Sequence, residues 1–152
     1  MKRDAGAPCM TTQSTGMAWS ILTEIRQLLD ALNEKGTVGS IDLRSLPMTD
    51  ADREQLEELL GRGEVHAELD LAGTSEVWET AYAGVWWIRH KGAADKIACE
   101  EIAVTAVPDI LITHPVDIEA AAARLGNELS QAQVSTDLHA KDQENELEAT
   151  NV

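Results

Sequence analysis

The sequence has no phenylalanine and only one tyrosine, so its aromatic surface rests almost entirely on four tryptophans. Cysteine is equally sparse. Cys9 and Cys99 are far apart and form no CxxC or other ligand spacing, which excludes a disulfide framework and a local metal knuckle and fits a reducing compartment. Cys9 reads as an exposed thiol. Basic residues are outnumbered, 12 against 27 acids, for a formal charge of −15. That charge opposes both the phosphate backbone and anionic lipid, so neither nucleic acid nor membrane is expected as a partner, and a basic or neutral protein suits it better. No apolar run approaches the roughly 18 residues of a membrane span, and the N-terminus lacks the charged-then-apolar order of a secretory signal. A cytoplasmic protein is expected. Nucleophile elbows, P-loops and dinucleotide fingerprints are also missing: the glycines stand as turn punctuation, and no GxSxG, GxxxxGK[ST] or GxGxxG occurs. No enzyme and no cofactor are expected on these grounds.

What is there divides into a leader, one domain and a tail. Residues 1–16 are small, polar and aperiodic, and are expected to be a flexible leader. From Ala18 to Lys35 the apolar positions Ala18, Ile21, Leu22, Ile25, Leu28, Leu29 and Leu32 follow helical spacing, with Gly36 placed to end the helix. Ile41-Asp42-Leu43 alternates briefly and offers a short edge strand before Pro47. Thr49, with Asp52 three residues on, is placed to cap a second helix that carries Leu56, Leu59 and Leu60 inward and stops at Gly61-Arg-Gly63.

The period then changes to two. Val65, Ala67, Leu69 and Leu71 alternate with His66, Glu68 and Asp70; further strands follow around Ser75–Tyr82, Val85–His90 and Ile97–Val107, the last ended by Pro108. Short connections between sequential strands favour an antiparallel meander. Pro115 suits the first position of a last helix whose Ile118, Ala121, Ala122 and Leu125 are expected to pack across the sheet. Residues 127–152 carry six acids and one base, with too little apolar surface to repay ordering, and read as a disordered acidic tail. The expected architecture is α+β: an antiparallel sheet of four or five strands packed by N-terminal helices and a C-terminal helix, with the folded domain at 17–126.

The densest feature is Glu76-Val-Trp-Glu-Thr-Ala-Tyr-Ala-Gly-Val-Trp-Trp-Ile88, holding three of the four tryptophans and the tyrosine. Adjacent strand residues leave opposite faces of a sheet, so Trp86 and Trp87 point to different sides. Trp86 shares a face with Ile88 and is expected inside; Trp87 shares one with Arg89 and is expected outside or at an interface. Trp78, Tyr82 and Trp87, with Glu79 and Arg89 as polar neighbours, are the candidate partner contacts, since exposed Trp and Tyr anchor interfaces. His66, His90, His114 and His139 lie at least 24 residues apart with no HxxxH or HxH, and read as surface or turn histidines; no metal site is expected. Glu79, Glu100 and Glu101 read as solvent-facing strand acids paired with Arg89 or Lys96.

Four segments occur in order: Ser40-Ile-Asp-Leu-Arg-Ser-Leu-Pro47, Leu60-Gly-Arg-Gly-Glu-Val65, Trp78-Glu-Thr80 with Gly84-Val-Trp86, and Val107-Pro-Asp-Ile-Leu111 through His114-Pro115. Together, over about residues 18–126, they resemble the HupH/HyaF C-terminal domain family of nickel-iron hydrogenase accessory proteins. The resemblance implies a chaperone-like binder of the immature hydrogenase small subunit or of other maturation proteins, and brings no catalytic residues. A metal or iron-sulfur handling protein of the same pathway is the alternative, for which Cys99 and the histidines would be needed. Family proteins are about twice this length with related halves, which motivates the expectation that two copies associate as a homodimer.

Overall fold

In the computed structural model the described residues are 13–70 and 72–150; Cys9, most of the expected leader and Leu71 lie outside them. The chain divides after Pro108 into two units. In the first, helix α1 (Met17–Lys35) ends at Gly36, whose left-handed backbone (φ 65°) lets its own N–H reach the Leu32 carbonyl and the Thr37 N–H reach that of Ala31. Strand β1 (Gly39–Asp42) and helix α2 (Asp50–Leu60) follow, then β2 (His66–Asp70), β3 (Thr74–Glu79), β4 (Val85–Lys91) and β5 (Ile97–Val104). The sheet is antiparallel throughout, in the order β1-β5-β4-β3-β2. The meander of four and the uncertain fifth strand at Ile41 are therefore both present, β1 pairing with β5 at the far edge.

One face of the sheet carries α1 and α2. Cross-strand partners share a face, so the row Trp78, Trp87, Ile102 and Ile41 runs across four strands beneath the helices. It meets Ala18, Ile21 and Ile25 of α1 and Leu56 and Leu60 of α2 in one core. Trp78 and Trp87 stack at 5.5 Å between ring centroids with planes 9° apart. The Arg62 guanidinium lies 4.3 Å over Trp78, and that of Arg89 lies 5.1 Å from Trp78 and 5.7 Å from Trp87. Cations over ring faces are attracted by the aromatic quadrupole; the two indole N–H groups have no acceptor among the described residues. Trp86 goes to the other face, as alternation requires, where its Nε1 donates to the Thr105 carbonyl at 3.1 Å.

Asp52 fastens α2 at its start. Thr49 Oγ1 accepts from the Asp52 N–H while the Asp52 carboxylate accepts from the Thr49 N–H, a reciprocal capping box. The same carboxylate accepts from the Thr15 N–H at 2.7 Å and from the Thr15 and Thr49 hydroxyls at 2.8 Å each. Ser14 adds a bond at 3.2 Å. Residues 14 and 15, expected in the free leader, are thus tied to α2. Burial opposes ionisation of Asp52, but these donors outweigh it and hold the carboxyl well below the usual range.

In the second unit, a 3-10 turn (Asp109–Leu111) precedes helix α3 (Pro115–Ala149). Pro115 occupies its first turn, and His114 Nδ1 accepts from the Val116 N–H. The stripe Ile118, Ala121, Ala122 and Leu125 lies on this helix, as its spacing predicts. Residues 127–149, expected as disordered tail, continue the helix: Ala, Leu, Glu, Gln and Lys are strong helix formers, and i,i+4 pairing such as Arg124 with Glu128 adds support.

Two outcomes test this packing. Trp87→Ala should lose about 3–5 kcal/mol of stability, the usual cost of emptying a buried tryptophan site, in urea unfolding; a loss below 1 kcal/mol, the scale of a surface change, would contradict the burial. Because the folded Asp52 pKa is depressed, the unfolded chain binds the extra proton, so its stabilisation is full above about pH 4 and is lost as pH falls further. Asp52→Asn should flatten that acid dependence; identical pH profiles would remove the assignment.

Candidate partner-binding surface

The helical period of α1 sends Ala18, Ile21 and Ile25 into the core and leaves Trp19, Leu22, Arg26 and Leu29, at spacings of 3, 4 and 3, along its outer flank. Trp19 is 57% exposed, the one tryptophan of the four outside the core. Beside this flank stands the β3–β4 turn with Tyr82, 52% exposed. Leu22, Ile25, Arg26, Leu29, Leu60 and Tyr82 enclose a shallow groove of about 310 Å³. Its walls are mainly apolar, with one cation and one phenol, a mixture suited to an apolar segment that carries some polarity.

The turn that presents Tyr82 is braced on all sides. The Glu79 carboxylate accepts from the Gly84 N–H at 3.1 Å, and Thr80 Oγ1 donates to the Tyr82 carbonyl and accepts from the Tyr82 N–H, both at 3.2 Å. Gly84 has φ 81°, which a side chain would strain. Below it, the Gly63 N–H donates to the Glu79 carbonyl at 2.7 Å, and a Cβ at Gly63 would stand 2.5 Å from the Thr80 carbonyl oxygen. The Leu60–Val65 turn can only lie this close to the hairpin with glycine at 63.

Of the five expected contact residues, one, Tyr82, is exposed. Trp78 and Trp87 are buried, at 1% and 0% exposure, so the outward placement of Trp87 is corrected: Arg89 on the same face did not signal solvent, because its guanidinium is itself drawn under α2 by Glu100 and Glu57. Glu79 is half-buried and spent on the turn. Glu100, expected in solvent, is fully buried between Arg53 and Arg89, each at 2.6 Å. Burial alone would lower the Arg89 pKa; the Glu100 carboxylate outweighs it and raises it. The signal was in the sequence, since Glu100 shares its strand face with Ile102 and Val104. Trp19 was missed because three tryptophans in one strand pair drew the aromatic argument away from the helix.

Cys99 and His90 are direct cross-strand partners, and His90 Nδ1 lies 2.7 Å from Ser75 Oγ. Burial pushes the Cys99 thiol pKa up, and Glu101 and Asp42 push it further. This moves it away from the thiolate that a soft metal requires.

Residues 16–132 match the conserved region described as "HupH hydrogenase expression protein, C-terminal conserved region". Among similar proteins, the "Hydrogenase expression/formation protein HoxQ" of Azotobacter vinelandii is 29% identical over 104 residues, covering 65% of this chain and 37% of the relative. The "Hydrogenase expression/formation protein HupH" of Rhodobacter capsulatus is 29% identical over 90 residues, covering 59% and 33%. The chain thus spans about a third of the length of these curated relatives. The solved structure of "Hydrogenase expression protein HupH from Thiobacillus denitrificans ATCC 25259" superposes with a TM-score of 0.75 at 38% identity, covering 78% of this chain and 99% of that one. The family match over residues 16–132 and the shared fold agree, and the chain belongs to the HupH hydrogenase expression protein family, whose C-terminal conserved region it carries.

Proposed function

We propose that the chain is a non-catalytic, chaperone-like binding protein of hydrogenase maturation, working in the cytoplasm and holding the immature small subunit before assembly. The names of its relatives, as hydrogenase expression and formation proteins, support the pathway. The observation that carries the mode of action is the apolar groove along α1 lined by exposed Tyr82, with exposed Trp19 three residues before Leu22 on the same helix flank. Large aromatic side chains left in water on a rigid scaffold supply most of their binding free energy when a partner covers them. An excess of 15 negative charges favours a partner segment that carries basic as well as apolar residues. No helix among the described residues is long and apolar enough to cross a membrane.

Affinity capture from cells expressing the hydrogenase subunits, followed by intact-mass identification, tests this reading. The tagged protein should retain the uncleaved small subunit. Trp19→Ala and Tyr82→Ala should each weaken capture at least about tenfold, the effect of losing an aromatic anchor of about 1.4 kcal/mol or more, with unchanged thermal unfolding. Full capture by the double variant would place the contact elsewhere, and reproducible absence of any hydrogenase component would refute the role.

A further inference from the structure

At the sheet edge formed by β2, three side chains with metal-binding donors converge that sequence spacing alone does not associate. His66 and Glu68 are two residues apart on β2 and so project from the same face, and Glu76 of β3 is the direct cross-strand partner of Glu68. An imidazole nitrogen and two carboxylate oxygens from these residues all lie within 4.8 Å of one another. We propose that His66, Glu68 and Glu76 form a binding site for a divalent transition-metal ion of the zinc or cobalt class.

The charge arrangement calls for a cation. Two carboxylates set directly opposite across a ladder repel, which destabilises a strand pair unless something neutralises them. Glu68 has no ion-pair partner among the described residues. Glu76 is held only loosely, by Arg89 at 3.9 Å and Lys91 at 3.8 Å, and both contacts use Oε2, leaving Oε1 free of ion pairing among the described residues. Arg62, over the ring of Trp78, the cross-strand partner of His66, is committed to Glu57 at 3.1 Å.

The donor set fixes the class of ion. One neutral imidazole and two carboxylates match zinc and similar borderline ions, whereas magnesium and calcium prefer oxygen alone. Bond lengths of about 2.0–2.2 Å place ligand atoms about 3–3.5 Å apart around one ion. The present spread closes by side-chain torsion alone, since His66 and Glu68 are exposed and the strand backbones already fix their Cβ positions. Three protein ligands leave the remaining positions to water or to a donor from a partner. This site and the α1 groove share no residue, so either can fail without the other.

Calorimetric titration of the full chain with Zn2+, and absorption spectroscopy with Co2+, test the site with no partner present. One Zn2+ per chain should bind, and His66→Ala and Glu68→Gln should each weaken binding at least about tenfold, the least that loss of a direct ligand costs when outer-shell changes already cost that much. His139→Ala and Cys99→Ser should bind as the native chain does. Both test positions are exposed, and circular dichroism should confirm that the variants stay folded. Absence of binding at millimolar Zn2+, or native affinity in either His66→Ala or Glu68→Gln, would overturn the proposal.

Discussion

A fully buried carboxylate has to be paired, and Glu100 is paired twice. Arg53 reaches it from α2 and Arg89 from β4, each at 2.6 Å. Removing one partner of such a group typically costs about 3–5 kcal/mol, because the remaining charge is left without water or counter-charge. The pairing therefore fixes where α2 can lie. Its first half must stand over β5 to deliver Arg53, and its second half then brings Glu57 to Arg89 at 3.2 Å and to Arg62 at 3.1 Å. Arg62 and Arg89 in turn lie over the stacked Trp78 and Trp87. Even the backbone takes part: the Glu100 carbonyl accepts from the Leu43 N–H at 2.9 Å, which draws fully buried Leu43 into the core just after β1.

Three of the four segments that carry the family resemblance hold this frame together. In Ser40–Pro47, Asp42 accepts from the Arg44 N–H, and Arg44 Nη1 donates to the Ile97 carbonyl. In Leu60–Val65, Gly63 permits contact with the hairpin, and in the Trp78–Trp86 stretch Glu79 and Gly84 close it. These residues define a scaffold. What they present is the β3–β4 turn with Tyr82 next to the outer flank of α1, so a rigid core positions an exposed rim. Binding sites on such scaffolds lose less conformational entropy when occupied than sites on free loops.

Much of the fold was legible from periodicity. The Thr49 cap, the Gly36 stop, the four-strand meander and the split of Trp86 from Trp87 all follow from local rules, and all appear as read. The misreadings share one physical origin. Residue type alone places polar side chains in solvent, but Arg89 and Glu100 satisfy each other under a helix, and type alone does not distinguish a charged residue facing water from one facing a counter-charge 11 positions along the chain. Trp87 was then placed by its association with Arg89 and inherited the error. In residues 127–149 low hydrophobicity suggests a tail, while the intrinsic helix preference of the same residues favours the continuous helix that the structure has there. The β2 edge was invisible for a simpler reason, because Glu76 joins His66 and Glu68 only through strand pairing.

The claim on which the account rests is that the partner meets the rim of α1 and the Tyr82 turn while the tryptophan-lined core stays closed. Hydrogen–deuterium exchange on the full chain, alone and with purified small-subunit precursor, tests it most directly. The account predicts added protection in residues 17–35 and 80–84, with exchange across β4 and β5 unchanged. Protection that spares both segments, or an opening of the Trp78–Trp87 strands on binding, would contradict it.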